Sequence, residues 1–166
     1  LCEKAGMSCV AVGEEEWLRW GYKGLTVADC AALADVIAIS GLPRLEQLGL
    51  GGNRFGAEGM QALVEGLGSG ALPSLTVLGL DRNGIGEAGA SALGAALGRG
   101  ALPRRQVLFL NSNILGSAGL LALAPGLRRR PQLRYLNLAD NDIGDDGVAA
   151  FVAPGEGVLP SLEVLD

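Results

Sequence analysis

Two patterns of apolar and polar positions alternate along this chain. In the first, leucines alternate with other residues over a few positions, which reads as a short strand. In the second, apolar residues recur at i, i+3, i+4 and i+7, which reads as one face of a helix. The strand-like runs are LEQLGLGGNRFG from Leu45, LTVLGLDRNGIG from Leu75, RQVLFLNSNILG from Arg105 and LRYLNLADNDIG from Leu133. The helical faces are Met60, Leu63, Val64 and Leu67, then Ala90, Leu93, Gly94 and Leu97, then Leu120, Leu123, Ala124 and Leu127.

The two patterns repeat as a unit. The asparagines that close the strand runs, Asn53, Asn83, Asn113 and Asn141, stand 30, 30 and 28 residues apart. A proline precedes each of the four runs, at Pro43, Pro73, Pro103 and Pro131, and recurs at Pro160. Cys30, Leu33, Ala34 and Ile37 fall one period before the first helical face. Leu18, Trp20 and Leu25 take the slots of Leu48, Leu50 and Phe55, with Lys23 in place of the asparagine. An earlier, degenerate unit is therefore expected, as at the end of a repeat array.

The pattern L-x-x-L-x-L-x-x-N-x-I-G-x-x-G followed by an Ala/Leu helix resembles leucine-rich repeats, specifically the ribonuclease-inhibitor-like subclass. The resemblance covers about residues 15–166. It implies an α/β right-handed solenoid, a horseshoe arc with a parallel sheet on the concave face and helices on the convex face. Residues 1–14 are expected to form a lead-in or cap, and residues 15–166 about five repeats and a partial sixth. Leu162 to Asp166 begins another strand motif, so the chain reads as a fragment of a longer array.

Stacking follows from the strand pattern itself. Leu48 and Leu50 point to one side and Gly49 to the other. One unit cannot bury its apolar side alone, so neighbours must cover it. The recurrent asparagines, Asn53, Asn83, Asn113 and Asn141, are read as a structural ladder whose amides satisfy turn backbone groups. Gly56, Gly86, Gly116 and Gly144 are read as turn residues with unusual dihedrals. Asp29, Glu58, Glu87, Asp145 and Asp146 gather at helix starts. Arg99, Arg104, Arg105, Arg128, Arg129 and Arg130 gather at helix ends, an arrangement that suits the helix dipole. One acidic and one basic edge are expected.

The totals narrow the function. Hydrophobic residues make up 49% of the 166 but aromatics only 4%, so Leu, Ala, Val and Ile must build the core. The formal net charge of −5 argues against a nucleic-acid partner, although the Arg128–Arg130 run offers a phosphate-contacting edge as the competing reading. No histidine is present, which removes the commonest general base and metal ligand. Cys2, Cys9 and Cys30 lack metal-type spacing and suggest a reduced, cytoplasmic setting, with a Cys2–Cys9 bridge as the alternative. The uncharged stretch from Gln106 to Leu127 is broken by polar residues and Pro125 and fits the repeat better than a membrane span. Asp140 and Asp142 flank Asn141 without the rest of a calcium loop, so no metal, and equally no cofactor or catalytic set, is expected.

Function is then expected on the concave strand face. The family resemblance places these residues outward on it: Trp17, Arg19 and Tyr22; Gln47, Gly49 and Gly52; Val77, Gly79, Asp81 and Arg82; Val107, Phe109, Asn111 and Ser112; Tyr135, Asn137 and Asp140; and Val164 and Asp166. Phe109 and Tyr135 should lie on adjacent strands, with a glycine-lined dip between them and Trp17 with Tyr22. Trp17 and Trp20 also have a capping role open to them. The expected function is non-catalytic binding of a protein partner. The resemblance also implies two alternatives, a GTPase activator of the Ran type and the ligand-sensing segment of an immune-receptor-like protein. A purely structural spacer segment is the remaining reading.

Overall fold

The structure is a computed structural model that describes residues 1–6, 9–68, 70–102, 104, 107–129, 132–152 and 161–165. The expectations for Pro103, Arg105, Arg130, Pro131, Pro160 and Asp166, and for a Cys2–Cys9 bridge, fall outside the described residues and side chains. Strands are β1 (Trp17–Arg19), β2 (Gln47–Gly49), β3 (Val77–Gly79), β4 (Val107–Phe109), β5 (Tyr135–Asn137) and β6 (Val164–Leu165). Two four-residue helices, α1 (Cys2–Ala5) and α2 (Cys9–Val12), precede them. One helix follows each of the first five strands: α3 (Val27–Ser40), α4 (Gly56–Glu65), α5 (Gly86–Gly98), α6 (Gly116–Arg128) and α7 (Asp145–Phe151).

The six strands lie in chain order, β1-β2-β3-β4-β5-β6, each parallel to the next. Register follows the repeat: Leu18, Leu48, Leu78, Leu108, Leu136 and Leu165 align across the sheet. This is a leucine-rich-repeat solenoid with its sheet on one side and its helices on the other. Strands sit about 4.8 Å apart, whereas packed helices usually need about 8–10 Å, so the strand face is the concave one.

The core runs unbroken between the layers. Leu48, Leu50, Met60, Leu63, Leu78, Leu80, Leu93, Leu108, Leu110 and Leu123 are all buried in it. Trp20 belongs to the same core, and Val12 of α2 closes the cluster at the first repeat. Glycine sets how closely the helices approach. A Cβ on Gly94 would lie 2.6 Å from the Ala122 carbonyl oxygen of α6, and one on Gly126 would overlap the Gly94 carbonyl oxygen. At α7 the helix is short, and Val148, Val152, Val164 and Leu165 are exposed.

Each turn after a strand has two left-handed residues flanking the asparagine position. Tyr22, Gly52, Arg82, Ser112 and Asp140 form one set, and Gly24, Arg54, Gly84, Ile114 and Asp142 the other, all with φ between 54° and 72°. Gly56, Gly86 and Gly116 also have positive φ, as expected. Gly144 departs from them: its φ is −83° and it caps α7 in extended conformation. The reason is local, since Gly144 N–H bonds Ser117 Oγ at 3.1 Å whereas the other three glycines donate to an asparagine carbonyl oxygen of the next repeat.

Candidate functional site

The asparagines are the first polar feature to place. They are buried, at 6%, 0%, 0% and 2% exposure for Asn53, Asn83, Asn113 and Asn141. The Asn113 carboxamide oxygen accepts from the N–H of Asn83 at 2.9 Å and of Ile85 at 3.3 Å, both in the preceding repeat. Its amide nitrogen donates to the carbonyls of Leu80 and Leu110, each at 2.9 Å. Asn141 makes the same set, and Asn83 differs in accepting its second bond from Arg54 N–H, at 3.0 Å. Asn53 accepts from Lys23 and Leu25 N–H, so the degenerate first repeat uses its neighbour's asparagine without supplying one. These side chains face inward and stitch repeats together.

The acids and bases at the helix ends separate into structural and solvated groups. Asp29 is buried, accepts from Lys4 Nζ at 2.6 Å and forms a capping box with Thr26. The Lys4 ammonium and the Thr26 donors hold its carboxyl well below the usual carboxylate range. Glu58, Glu87, Asp145 and Asp146 are exposed at their helix starts. Arg128 and Arg129 donate to the Phe151 and Gly98 carbonyl oxygens, at 3.1 and 3.0 Å. Arg44 is drawn the other way, pairing with Glu14 and Glu16. Cys30 is buried among apolar residues, which pushes its thiol up to about 12.

The strand face carries the remaining chemistry. Its first column, in register, is Trp17, Gln47, Val77, Val107, Tyr135 and Val164. The second is Arg19, Gly49, Gly79, Phe109 and Asn137. Just beyond the strands come Gly21, Gly51, Asp81, Asn111 and Ala139, then Tyr22, Gly52, Arg82, Ser112 and Asp140, joined by backbone bonds such as Arg82 N–H to the Asn111 carbonyl oxygen at 3.0 Å. Trp17 is 49% exposed, so it lies on this face and not in the core with Trp20.

Aromatic and charged groups occur in pairs here. The Phe109 and Tyr135 rings lie 5.4 Å apart at 51°. The Arg19 guanidinium lies 5.5 Å from the Trp17 ring centre. Arg82 donates to the Tyr22 hydroxyl at 2.9 Å, across two repeats. This last contact is not evident from the strand motif. Its signal is arithmetic: the two residues are two periods apart, and Gly52 between them is overlain by the Tyr22 ring. The Asp81 carboxylate likewise lies over Gly51, where any Cβ would collide with it. Ser112 donates to Asp140 at 3.3 Å and Asn137 accepts from Ala139 N–H at 3.0 Å.

Among the described residues no His/Cys/Asp/Glu group is arranged to hold a metal ion. Among them, too, no helix is long and apolar enough to cross a membrane.

Comparison with known proteins agrees with this geometry. The Leucine Rich repeat family model matches residues 43–64, 71–94 and 131–152. No curated protein shows significant sequence similarity to the chain. Among solved structures, 51 chains match. One is leiomodin-1 actin-binding site 2, with a TM-score of 0.57 and 16% identity over 75% of this chain and 67% of that one. Another is a protein from Bacteroides fragilis, with a TM-score of 0.56 and 19% identity over 91% of this chain. The chain spans only 40% of the length of that bacterial protein. At these identities the likeness is one of fold. The matched segments are leucine-rich repeats, and the parallel strand-and-helix stacking arranges them as a solenoid.

Proposed function

We propose that this leucine-rich repeat domain binds a protein partner on its concave strand face, without catalysis. Such repeats generally serve as protein-interaction modules. The observation that carries the reading is the placement of Trp17, Tyr22, Phe109 and Tyr135 on one continuous face. Aromatic side chains at a surface are effective anchors for a partner, because they bury large area at low entropic cost. The charges beside them, Arg19 and Arg82 against Asp81 and Asp140, nearly balance, which suits a mixed protein surface and not a polyanion. We assign the repeats to the ribonuclease-inhibitor-like type, which the 28- and 30-residue spacings and a full helix in α5 and α6 support.

Affinity capture from cell extract tests the proposal, using the intact chain and a Phe109→Ala/Tyr135→Ala variant. Circular dichroism confirms that the variant remains folded. The expected result is a set of proteins retained by the intact chain and lost by the variant. Identical sets would count against concave-face binding. A GTP-hydrolysis assay with small GTPases separates the activator alternative, which requires acceleration where simple binding gives none.

A further inference from the structure

One carboxylate on the strand face is unused. The Asp81 side chain takes part in no hydrogen bond or ion pair among the described residues, although Arg82 follows it directly. The left-handed backbone at Arg82, φ 54°, separates the two side chains. Arg82 turns to the Tyr22 hydroxyl at 2.9 Å, and Asp81 lies on the sheet over Gly51.

Beside this carboxylate two side-chain positions stand empty. Gly49 and Gly79 are register partners on β2 and β3. Neither has a positive φ. A Cβ on Gly49 would meet nothing nearer than 3.7 Å, and one on Gly79 nothing nearer than 3.6 Å. The fold therefore does not require glycine at either place. What the glycines provide is a notch two strands wide that narrows to its floor, where Gly79 is buried and Gly49 half-buried. Phe109, the register partner of Gly79, walls it on one side, and Arg19, the register partner of Gly49, walls it on the other. Asp81 Oδ1 lies 3.8 Å from the Cβ position of Gly79, at the end of the notch.

We propose that this notch receives a lysine or arginine side chain of the protein partner, with Asp81 as its counter-ion. The proposal rests on the concave-face reading above and names the chemistry that face selects. An acidic side chain would meet the Asp81 carboxylate with like charge. An apolar one would cover that carboxylate without giving it a hydrogen bond, which is costly. A cation pairs with it, lays its methylene stem over the glycine backbone, and has the Phe109 ring beside it. The protein's own nearby cations do not fill the role, because Arg19 is stacked on Trp17 and Arg82 is bound to Tyr22.

The test is a nuclear magnetic resonance titration of the whole chain with blocked pentapeptides, acetyl-Gly-Gly-Lys-Gly-Gly-amide, its arginine counterpart and its glutamate counterpart. The lysine and arginine peptides are expected to shift the Gly49 and Gly79 amide resonances saturably, and the glutamate peptide not to. Asp81→Asn and Gly79→Leu should each weaken the effect at least fivefold. Glu87→Gln, which changes an exposed carboxylate at the start of α5 on the helix side, should leave it unchanged. Equal shifts from all three peptides, or full binding by Asp81→Asn, would overturn the assignment. So would peptides that leave the glycines unmoved while the Phe109→Ala/Tyr135→Ala variant still loses its captured partners. In that case concave binding stands and its chemistry is something other than a cation at Asp81.

Discussion

Replacing Asn113 by alanine isolates the energetic role of the asparagine ladder. Three carbonyls that Asn113 serves keep another donor: Leu80 retains Asn83 Nδ2, Leu110 retains Asn141 Nδ2, and Asn111 retains the Arg82 N–H. The loss therefore falls on two N–H groups, those of Asn83 and Ile85, both buried and both accepted by Asn113 Oδ1. A buried donor left without an acceptor costs about 1–3 kcal/mol, so the pair should cost about 2–6 kcal/mol. That is a large fraction of a typical domain stability of about 5–15 kcal/mol. Urea unfolding followed by circular dichroism measures it, with Asn111→Ala as the control. Asn111 is half-exposed in the same turn, and its replacement should change stability by less than about 0.5 kcal/mol. A loss under about 1 kcal/mol for Asn113→Ala, or equal losses for the two variants, would refute the reasoning.

Four other substitutions follow from the same structure. Gly126→Ala places a Cβ against the Gly94 carbonyl and 2.9 Å from Leu97 Cβ, and should cost about 1–3 kcal/mol by forcing α5 from α6. Gly98→Ala, with open space at its Cβ, should gain up to about 1 kcal/mol of helix propensity, and thermal unfolding of both checks the contrast. Ile114 is a β-branched residue at φ 58°, 67% exposed, in the slot that Gly84 and Asp142 fill elsewhere, so Ile114→Asn should raise stability by up to about 1 kcal/mol in the same assay. The Asp29 carboxyl is lowered in the folded state, so its contribution is present above the ordinary carboxylate value of 3.8 and is lost as pH falls through and below it. Urea titrations of the wild type and Asp29→Asn should therefore differ at neutral pH and converge on acidification, and a gap that widens in acid would contradict the pairing with Lys4.

The fold was legible because its determinants recur. Leu48, Leu78 and Leu108 announce their register by standing one period apart, and the asparagines announce that a buried turn needs a donor and an acceptor at one place. The Phe109–Tyr135 contact was readable for the same reason, since register puts these side chains on neighbouring strands. What escaped the pattern depends on side-chain direction or on absent atoms. Arg82 reaches Tyr22 only because a left-handed backbone turns it from Asp81 and Gly52 leaves the path clear. Gly94 stood in the repeated helix-face pattern and Gly126 outside it, and only the packed helices reveal both as points of close approach between α5 and α6. Asp29 looked like one helix-start acid among five, and its distinction comes from Lys4, in a segment with no repeat pattern to place it.

Engineered disulfides between strands test the stacking most directly. In a background with Cys2, Cys9 and Cys30 replaced, cysteine pairs at 47 and 77, 77 and 107, and 107 and 135 occupy register partners on neighbouring strands. Strand spacing of about 4.8 Å lies within the Cα separation a disulfide tolerates. In-register stacking requires all three pairs to oxidise readily in the folded protein, while the mismatched pair at 47 and 107, two strands apart, stays reduced. Oxidation of the mismatched pair, or failure of the three matched ones, would contradict it.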